Sequence, residues 1–226
     1  MESDFNDIEL KSFSTGLPEK VKYEDDKEME TAICKQPTEE AFLSKRGFQG
    51  DGVADLRYHG GPDRAVCVYP YEHYLLWKQE LKQSLPPSAF GENLTVTNML
   101  EQDICIGDIF RLGDAVIQVT QGRIPCSTIT KRTNMPLLLK RIVETGFTGY
   151  LCRVLEEGTV RKDSKITLVE AHPKQVSILF ANQVYFHKPK DVEGIKKVLD
   201  VPELAEDWRE LLTKRLGKLT GFGSVT

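Results

Sequence analysis

Apolar and polar residues alternate at period two over the first third of the chain. Ile8 and Leu10, then Val21 and Tyr23, then Met29, Thr31 and Ile33 predict short strands, with Glu24-Asp25-Asp26-Lys27 connecting the last two as a hairpin. Ala41 and Leu43 alternate again, and Ala65-Val66-Cys67-Val68-Tyr69 has the unbroken apolar character of a buried strand. Pro70 suits the opening of a helix through Tyr71, Tyr74, Leu75, Lys78 and Leu81 that Pro86-Pro87 stops; His73 reads as an exposed residue of that helix. Phe90-Gly91-Glu92-Asn93 lead into a strand at Leu94-Thr95-Val96. Ile104-Cys105-Ile106, Ile109–Leu112 and Ala115–Val119, separated by Gly107-Asp108 and Gly113-Asp114, predict a meander. A helix over Pro136–Glu144 ends near Gly146. A strand over Phe147–Leu155 turns at Glu156-Glu157-Gly158, and another follows over Lys165–Glu170.

Beyond Pro173 the period lengthens. Val176, Leu179, Phe180 and Val184, then Val192, Ile195, Val198 and Leu199, then Leu204, Trp208, Leu211, Leu212 and Leu216 predict three helices. The expected architecture is mainly β with helices, an α+β fold. Residues 1–172 form its main domain, 173–217 a small three-helix appendage suited to docking, and 218–226 a frayed tail.

Composition narrows the classes. The 226 residues are 40% hydrophobic and 28% charged with a net charge of −4, so no basic excess points to nucleic acid. No apolar run approaches the ~20 residues that span a bilayer, and the acidic start Met1–Asp7 lacks the features of a signal peptide; the expectation is a soluble cytoplasmic protein with no membrane partner. Five scattered cysteines without a Cys-x-x-Cys pair suggest neither a disulfide framework nor a zinc knuckle.

One cysteine is placed differently from the rest. In Val119-Thr120-Gln121-Gly122-Arg123-Ile124-Pro125-Cys126-Ser127-Thr128, Cys126 follows a β-type run and a Gly-x-x-Pro break and precedes a segment able to open a helix. Arg123 and Lys131 could stabilise its thiolate there, although the spacing fits a small buried hydrophobe as well. The segment Arg46–Arg64 holds five glycines, three arginines and His59, and its length is costly in entropy unless a ligand or function orders it. Gly60 and Gly61 would let backbone amides approach an anion; an ordinary polar loop is the plainer reading. Lys35 reads as a solvated charge on composition, and Arg153, inside a strand, needs an acidic partner or an anionic ligand.

Taken in order, several motifs carry a resemblance. They are Lys35-x-Pro37, Gly50-Asp51 with Ala54-Asp55, Tyr58-His59-Gly60-Gly61-x-Asp63-Arg64-Ala65-Val66, and Phe90-Gly91-Glu92-Asn93-Leu94-Thr95-Val96. Cys105-Ile106-Gly107-Asp108, Gln121-x-Arg123-x-Pro125-Cys126 and Tyr150-x-x-Arg153-Val154-Leu155 complete the set. Over about residues 8–171 the chain resembles the MOSC family, in its YiiM-like branch, and the three helices beyond resemble the short helical domain that often follows. Gly122 departs from the pattern, standing where the family usually has proline, which could loosen the loop.

The resemblance implies a MOSC-type β-barrel that binds molybdenum cofactor (Mo-molybdopterin), with Cys126 as the metal ligand. It makes Lys35, Arg46, His59, Gly60, Gly61, Arg64, Glu92, Asn93, Arg123, Tyr150 and Arg153 candidate cofactor contacts, and His59 and Asp63 candidate proton donors beside Cys126. Thiolate is a soft donor suited to a metal already held by pterin dithiolene sulfurs, and arginine matches a phosphate by its planar fork. The implied activity is reduction of N-hydroxylated compounds such as 6-N-hydroxylaminopurine. Electrons would come from a separate protein, since no dinucleotide fingerprint or iron–sulfur cysteine set is present. A cofactor carrier without turnover, or a sulfur carrier with a persulfide on Cys126, stays open beside it, as does a homodimer.

Overall fold

The computed structural model describes residues 7–23, 27–55 and 60–221. In chain order come β1 (Leu10–Thr15), β2 (Glu19–Tyr23), β3 (Lys27–Thr31), β4 (Gln36–Pro37), β5 (Glu40–Ser44), β6 (Gly47–Phe48), β7 (Val66–Pro70), α1 (Tyr71–Leu81) and β8 (Leu94–Val96). They are followed by β9 (Ile109–Leu112), β10 (Ala115–Gly122), α2 (Ser127–Thr133), α3 (Pro136–Thr145), β11 (Tyr150–Glu156), β12 (Gly158–Arg161) and β13 (Ile166–Glu170). Helices α4 (Ile178–Phe186), α5 (Val192–Leu199) and α6 (Glu206–Thr220) end the described chain.

Eight strands in the order β13-β9-β10-β11-β7-β8-β1-β4 curl into a half-barrel, accompanied by a three-stranded sheet β12-β5-β6 and the β2-β3 hairpin. The fold is α+β with the expected barrel and helical segment. Neighbours are antiparallel except β7 and β8, and the crossover a parallel pair requires is supplied by α1. Alternation in β5, where Ala41 and Leu43 are buried and Glu40 and Phe42 exposed, marks a strand with one wet face. By contrast β10 is buried at all eight positions, because β9 and β11 flank it and α4 packs against it. One apolar core runs from Val66, Val119 and Val154 in the barrel to Ile178, Val198 and Trp208 in the helices, while Tyr69, Trp77 and Phe90 centre a second under α1 and α3.

Three expectations are corrected. Ile104-Cys105-Ile106 is no strand: Gly107 turns the chain, the Asp108 carboxylate accepts from the Cys105 amide at 2.7 Å, and only a single bridge joins Cys105 to Ser177. His73 is buried, its Nε2 2.6 Å from Glu101 Oε2 and its ring stacked 4.3 Å from Phe147. With Trp77 one turn later it forms the inward face of α1, leaving Leu75 outside. Helix α6 continues through the start of the expected tail to Thr220 and is capped by Gly221 in the left-handed conformation; residues 222–226 lie outside the described residues, as does most of the β2–β3 connection.

Gly122, the departure from the family pattern, stands where a side chain has no room. A Cβ there would sit 1.9 Å from Asn182 Oδ1, so Asn182 of α4 fills the space a side chain would need. The Asn182 amide donates to the Gly146 carbonyl at 2.8 Å and meets the Thr148 hydroxyl at 3.0 Å, which fixes it in place. Gly122→Ala should therefore lower stability by about 1–3 kcal/mol, the range for overpacking. In urea unfolding, Asn182→Ala combined with it should cost less than the sum of the single losses. Strict additivity would show that the two positions do not compete for one space.

Candidate functional site

The strand β10 leaves the barrel at Gly122 and delivers Arg123, Ile124, Pro125 and Cys126 to a cavity of about 880 Å³. The Arg123 amide donates to the Gly149 carbonyl at 3.0 Å, holding the start of this loop to the β11 side. Cys126 then takes the N-cap position of α2, half-buried, on the cavity wall. Helix amino ends carry partial positive charge, an electrostatic setting that favours a thiolate or a bound anion in general. The Lys131 Nζ lies 4.7 Å from the centre of the Tyr23 ring.

The other walls converge from distant segments. Lys35, Arg46, Gly60, Gly61, Arg64 and Asn93, all candidate contacts, line the cavity with Arg123 and Cys126. Lys35 is buried rather than solvated and pairs with Asp51. That carboxylate also accepts from the Gly16 amide at 2.8 Å and the Asn93 side-chain amide at 2.9 Å, and Asn93 in turn accepts from the Cys67 amide at 3.0 Å. A buried lysine neutralised in this way stays in place without a ligand, because its charge is paired and its partner satisfied. Gly61 has φ 95°, a conformation open to glycine at little cost, and the turn lets the Arg64 Nε donate back to the Gly60 carbonyl at 2.6 Å.

Four candidates lie elsewhere. Glu92 is fully buried, accepting from the hydroxyls of Tyr74 at 2.5 Å and Thr95 at 2.9 Å. Tyr150 is sealed in the core with its hydroxyl 3.3 Å from the Met99 carbonyl. Arg153 and Asp63 satisfy each other: Arg153 Nη2 lies 2.8 Å from Asp63 Oδ1, and Arg153 also donates to the Glu203 carbonyl at 3.0 Å. The second oxygen of Asp63 accepts from the Glu206 amide at 3.1 Å at the start of α6. This pair clasps the helical segment to the barrel, and its saturated carboxylate argues against the expected role of Asp63 as proton donor. His59 lies outside the described residues.

Sequence reasoning left out several wall residues. Asp51 was visible only as part of a Gly-Asp motif, although it organises Lys35, Asn93 and Gly16. Cys67 and Gln121 sit in strands whose pattern reads as core, and Asp207, Trp208, Glu210 and Leu211 belong to a helix whose spacing gives no hint of a cavity.

Two wall atoms bear on what the cavity can hold. Arg123 Nη1 and Gln121 Oε1 are buried and have no hydrogen-bond partner among the described residues. An orphaned guanidinium nitrogen is costly unless an acceptor arrives, so this wall suits an anionic ligand. A soft thiol, an unsatisfied arginine and room for a large ligand on one cavity fit a phosphorylated, sulfur-bearing metallopterin.

Fold and cavity thus define a half-barrel whose cavity places an arginine nitrogen without an acceptor on the same wall as a cysteine. Residues 55–167 match the MOSC domain and residues 176–218 the YiiM-like, 3-alpha helix domain. The chain is 43% identical to YflK of Bacillus subtilis (strain 168) over 209 residues, covering 92% of this chain and 94% of that one. It also superposes on the crystal structure of YiiM from Geobacillus stearothermophilus with a TM-score of 0.78 and 31% identity, over 93% of this chain and 100% of the other. A protein of Gibberella moniliformis (strain M3125 / FGSC 7600) named Reductase is 39% identical over 166 residues, 70% of this chain but 29% of that longer one. The chain belongs to the MOSC family, with the YiiM-like helical domain at its end. MOSC domains are associated with molybdopterin cofactor binding, and the family and relatives support an oxidoreductase-like role. Among the described residues no helix is long and apolar enough to cross a membrane.

Two outcomes follow from the geometry. Asp63→Asn should cost about 2 kcal/mol in chemical denaturation, below the ~3–5 of a fully buried pair because both partners keep some solvent, while leaving cavity ligand binding intact. A loss of binding without a loss of stability would return Asp63 to the site. Burial pushes up the thiols of Cys34, Cys67, Cys105 and Cys152, Cys105 to about 12, with Arg123 only partly offsetting this at Cys67. Since the thiolate is the reactive form, iodoacetamide at neutral pH should label Cys126 before the other four, read by peptide mass spectrometry. Labelling of Cys67 at an equal rate would contradict the assignment.

Proposed function

We propose that the protein is a molybdenum-dependent reductase of N-hydroxylated compounds, of which 6-N-hydroxylaminopurine is representative. The observation that carries this reading is the presence of Cys126 and the unsatisfied Arg123 guanidinium on one cavity. The overall change is R–NHOH + 2 e⁻ + 2 H⁺ → R–NH₂ + H₂O: the N–O bond breaks, nitrogen gains a proton, and the oxygen leaves as water. The cofactor, when bound, would supply the two-electron redox centre for this change.

The protein's own residues do the rest. Cys126 supplies a soft sulfur donor, and Arg123 neutralises negative charge through its planar guanidinium fork. Arg46 adds positive charge on the cavity wall, Arg64 is paired with Asp207, and the Lys35–Asp51–Asn93 cluster fixes the wall between β1 and β8. With Asp63 committed to Arg153 and Glu206, His59 is the proton donor in this reading. Electrons enter from a separate protein.

Full-length protein produced in a host that makes molybdenum cofactor should contain molybdenum and reduce 6-N-hydroxylaminopurine with an artificial reductant. Cys126→Ser should lose that activity by at least about 100-fold, and His59→Gln should lower kcat by about 100-fold with metal content retained. Equal turnover by wild type and Cys126→Ser would overturn the ligand assignment; stoichiometric molybdenum without turnover in the wild type would mark a carrier instead.

A further inference from the structure

The helical segment contributes more than support. Asp207, Glu210 and Leu211 stand at i, i+3 and i+4 on α6, one face of the helix, and all three line the cavity with Trp208. Asp207 is held by Arg64, the two atoms 2.5 Å apart, which sets the face against the glycine turn. Backbone contacts fix it further, since the Ala205 amide donates to the Thr120 carbonyl at 3.1 Å and Glu206 is capped by Asp63. The wall is therefore a rigid part of the site.

Its chemistry differs from that of the Cys126 wall. Glu210 is exposed and has no hydrogen-bond or ion-pair partner among the described residues, so its carboxylate is available to an occupant of the cavity. Leu211 is 45% exposed, an aliphatic surface beside that carboxylate. Trp208 is fully buried, yet its indole N–H, a donor only, has no partner among the described residues. One wall thus seeks an anion through Arg123, while the helix offers an acceptor and an apolar face.

We propose that the Glu210–Leu211 face of α6 selects the substrate, favouring flat nitrogen bases that present N–H donors or positive charge and disfavouring carboxylate-bearing compounds. Calling the occupant a substrate rests on the reductase reading. In this arrangement an aromatic ring lies on Leu211 and its N–H groups donate to Glu210. A carboxylate brought to the same place meets a like charge in a partly dehydrated cavity.

The test uses the full chain with two probes of one shape and opposite charge, benzamidine and benzoate, in calorimetric titrations of wild type, Glu210→Gln and Glu210→Lys. Glu210 is exposed, so both variants should keep the wild-type melting temperature, which is checked alongside. The ratio of benzamidine to benzoate affinity should fall at least about tenfold in Glu210→Lys, with Glu210→Gln between the two. A ratio unchanged within about threefold, or no binding of benzamidine by wild type at millimolar concentration, overturns the proposal. The N-hydroxylated counterpart of benzamidine is then offered to cofactor-loaded protein. A shifted binding ratio without reduction leaves the selecting wall standing and removes the reductase reading; reduction with an unchanged ratio does the reverse.

Discussion

The close approach of Asn182 to Gly122 sets the geometry on which the site depends. A strand buried along its whole length cannot leave the core wherever it likes, because each backbone amide released must find a partner. Here β10 leaves at the one position where a missing Cβ admits the amide of α4, and the next residue, Arg123, is tied by its own amide to Gly149. The direction of the loop that ends at Cys126 is therefore decided by packing between the barrel and the first C-terminal helix.

The same helical segment is bound to the glycine turn by polar contacts. Two consecutive residues of that turn divide the work: Asp63 bonds Arg153 and the Glu206 amide, and Arg64 reaches Asp207. These groups carry opposite charge, so the contact neutralises itself and the acidic net charge of the chain does not oppose an anionic ligand nearby. What the self-neutralisation leaves over is the chemistry of the cavity: an arginine nitrogen without an acceptor on one wall, and on another a carboxylate without a partner among the described residues.

Much of this was legible in the chain. Strict alternation marked β5, the Gly-Asp pairs marked the β9–β10 turn, and the change of period after Pro173 marked α4 to α6. Cys126, Arg123, Gly60, Gly61 and Asn93 were found by motif and lie together as expected. What failed depended on partners far along the sequence. His73 looked exposed because Glu101 and Phe147 are not its neighbours in the chain, and Lys35 looked solvated because Asp51 comes sixteen positions later. Motif membership also did not separate cavity-lining residues from scaffold: Glu92, Tyr150, Asp63 and Arg153 belong to the same motifs as the cavity residues, but their hydrogen bonds are spent on Tyr74, Met99, each other and α6. A glycine in place of proline at position 122 carried no sign of its cause, since Asn182 lies sixty residues away in another segment.

The central claim is that the sulfur of Cys126 completes a metal site in the cavity beside Arg123. Molybdenum K-edge X-ray absorption on cofactor-loaded protein addresses it directly by counting sulfur scatterers. The account predicts one sulfur fewer at the metal in Cys126→Ser than in wild type, with the pterin still bound. An identical sulfur shell in the two proteins would contradict it.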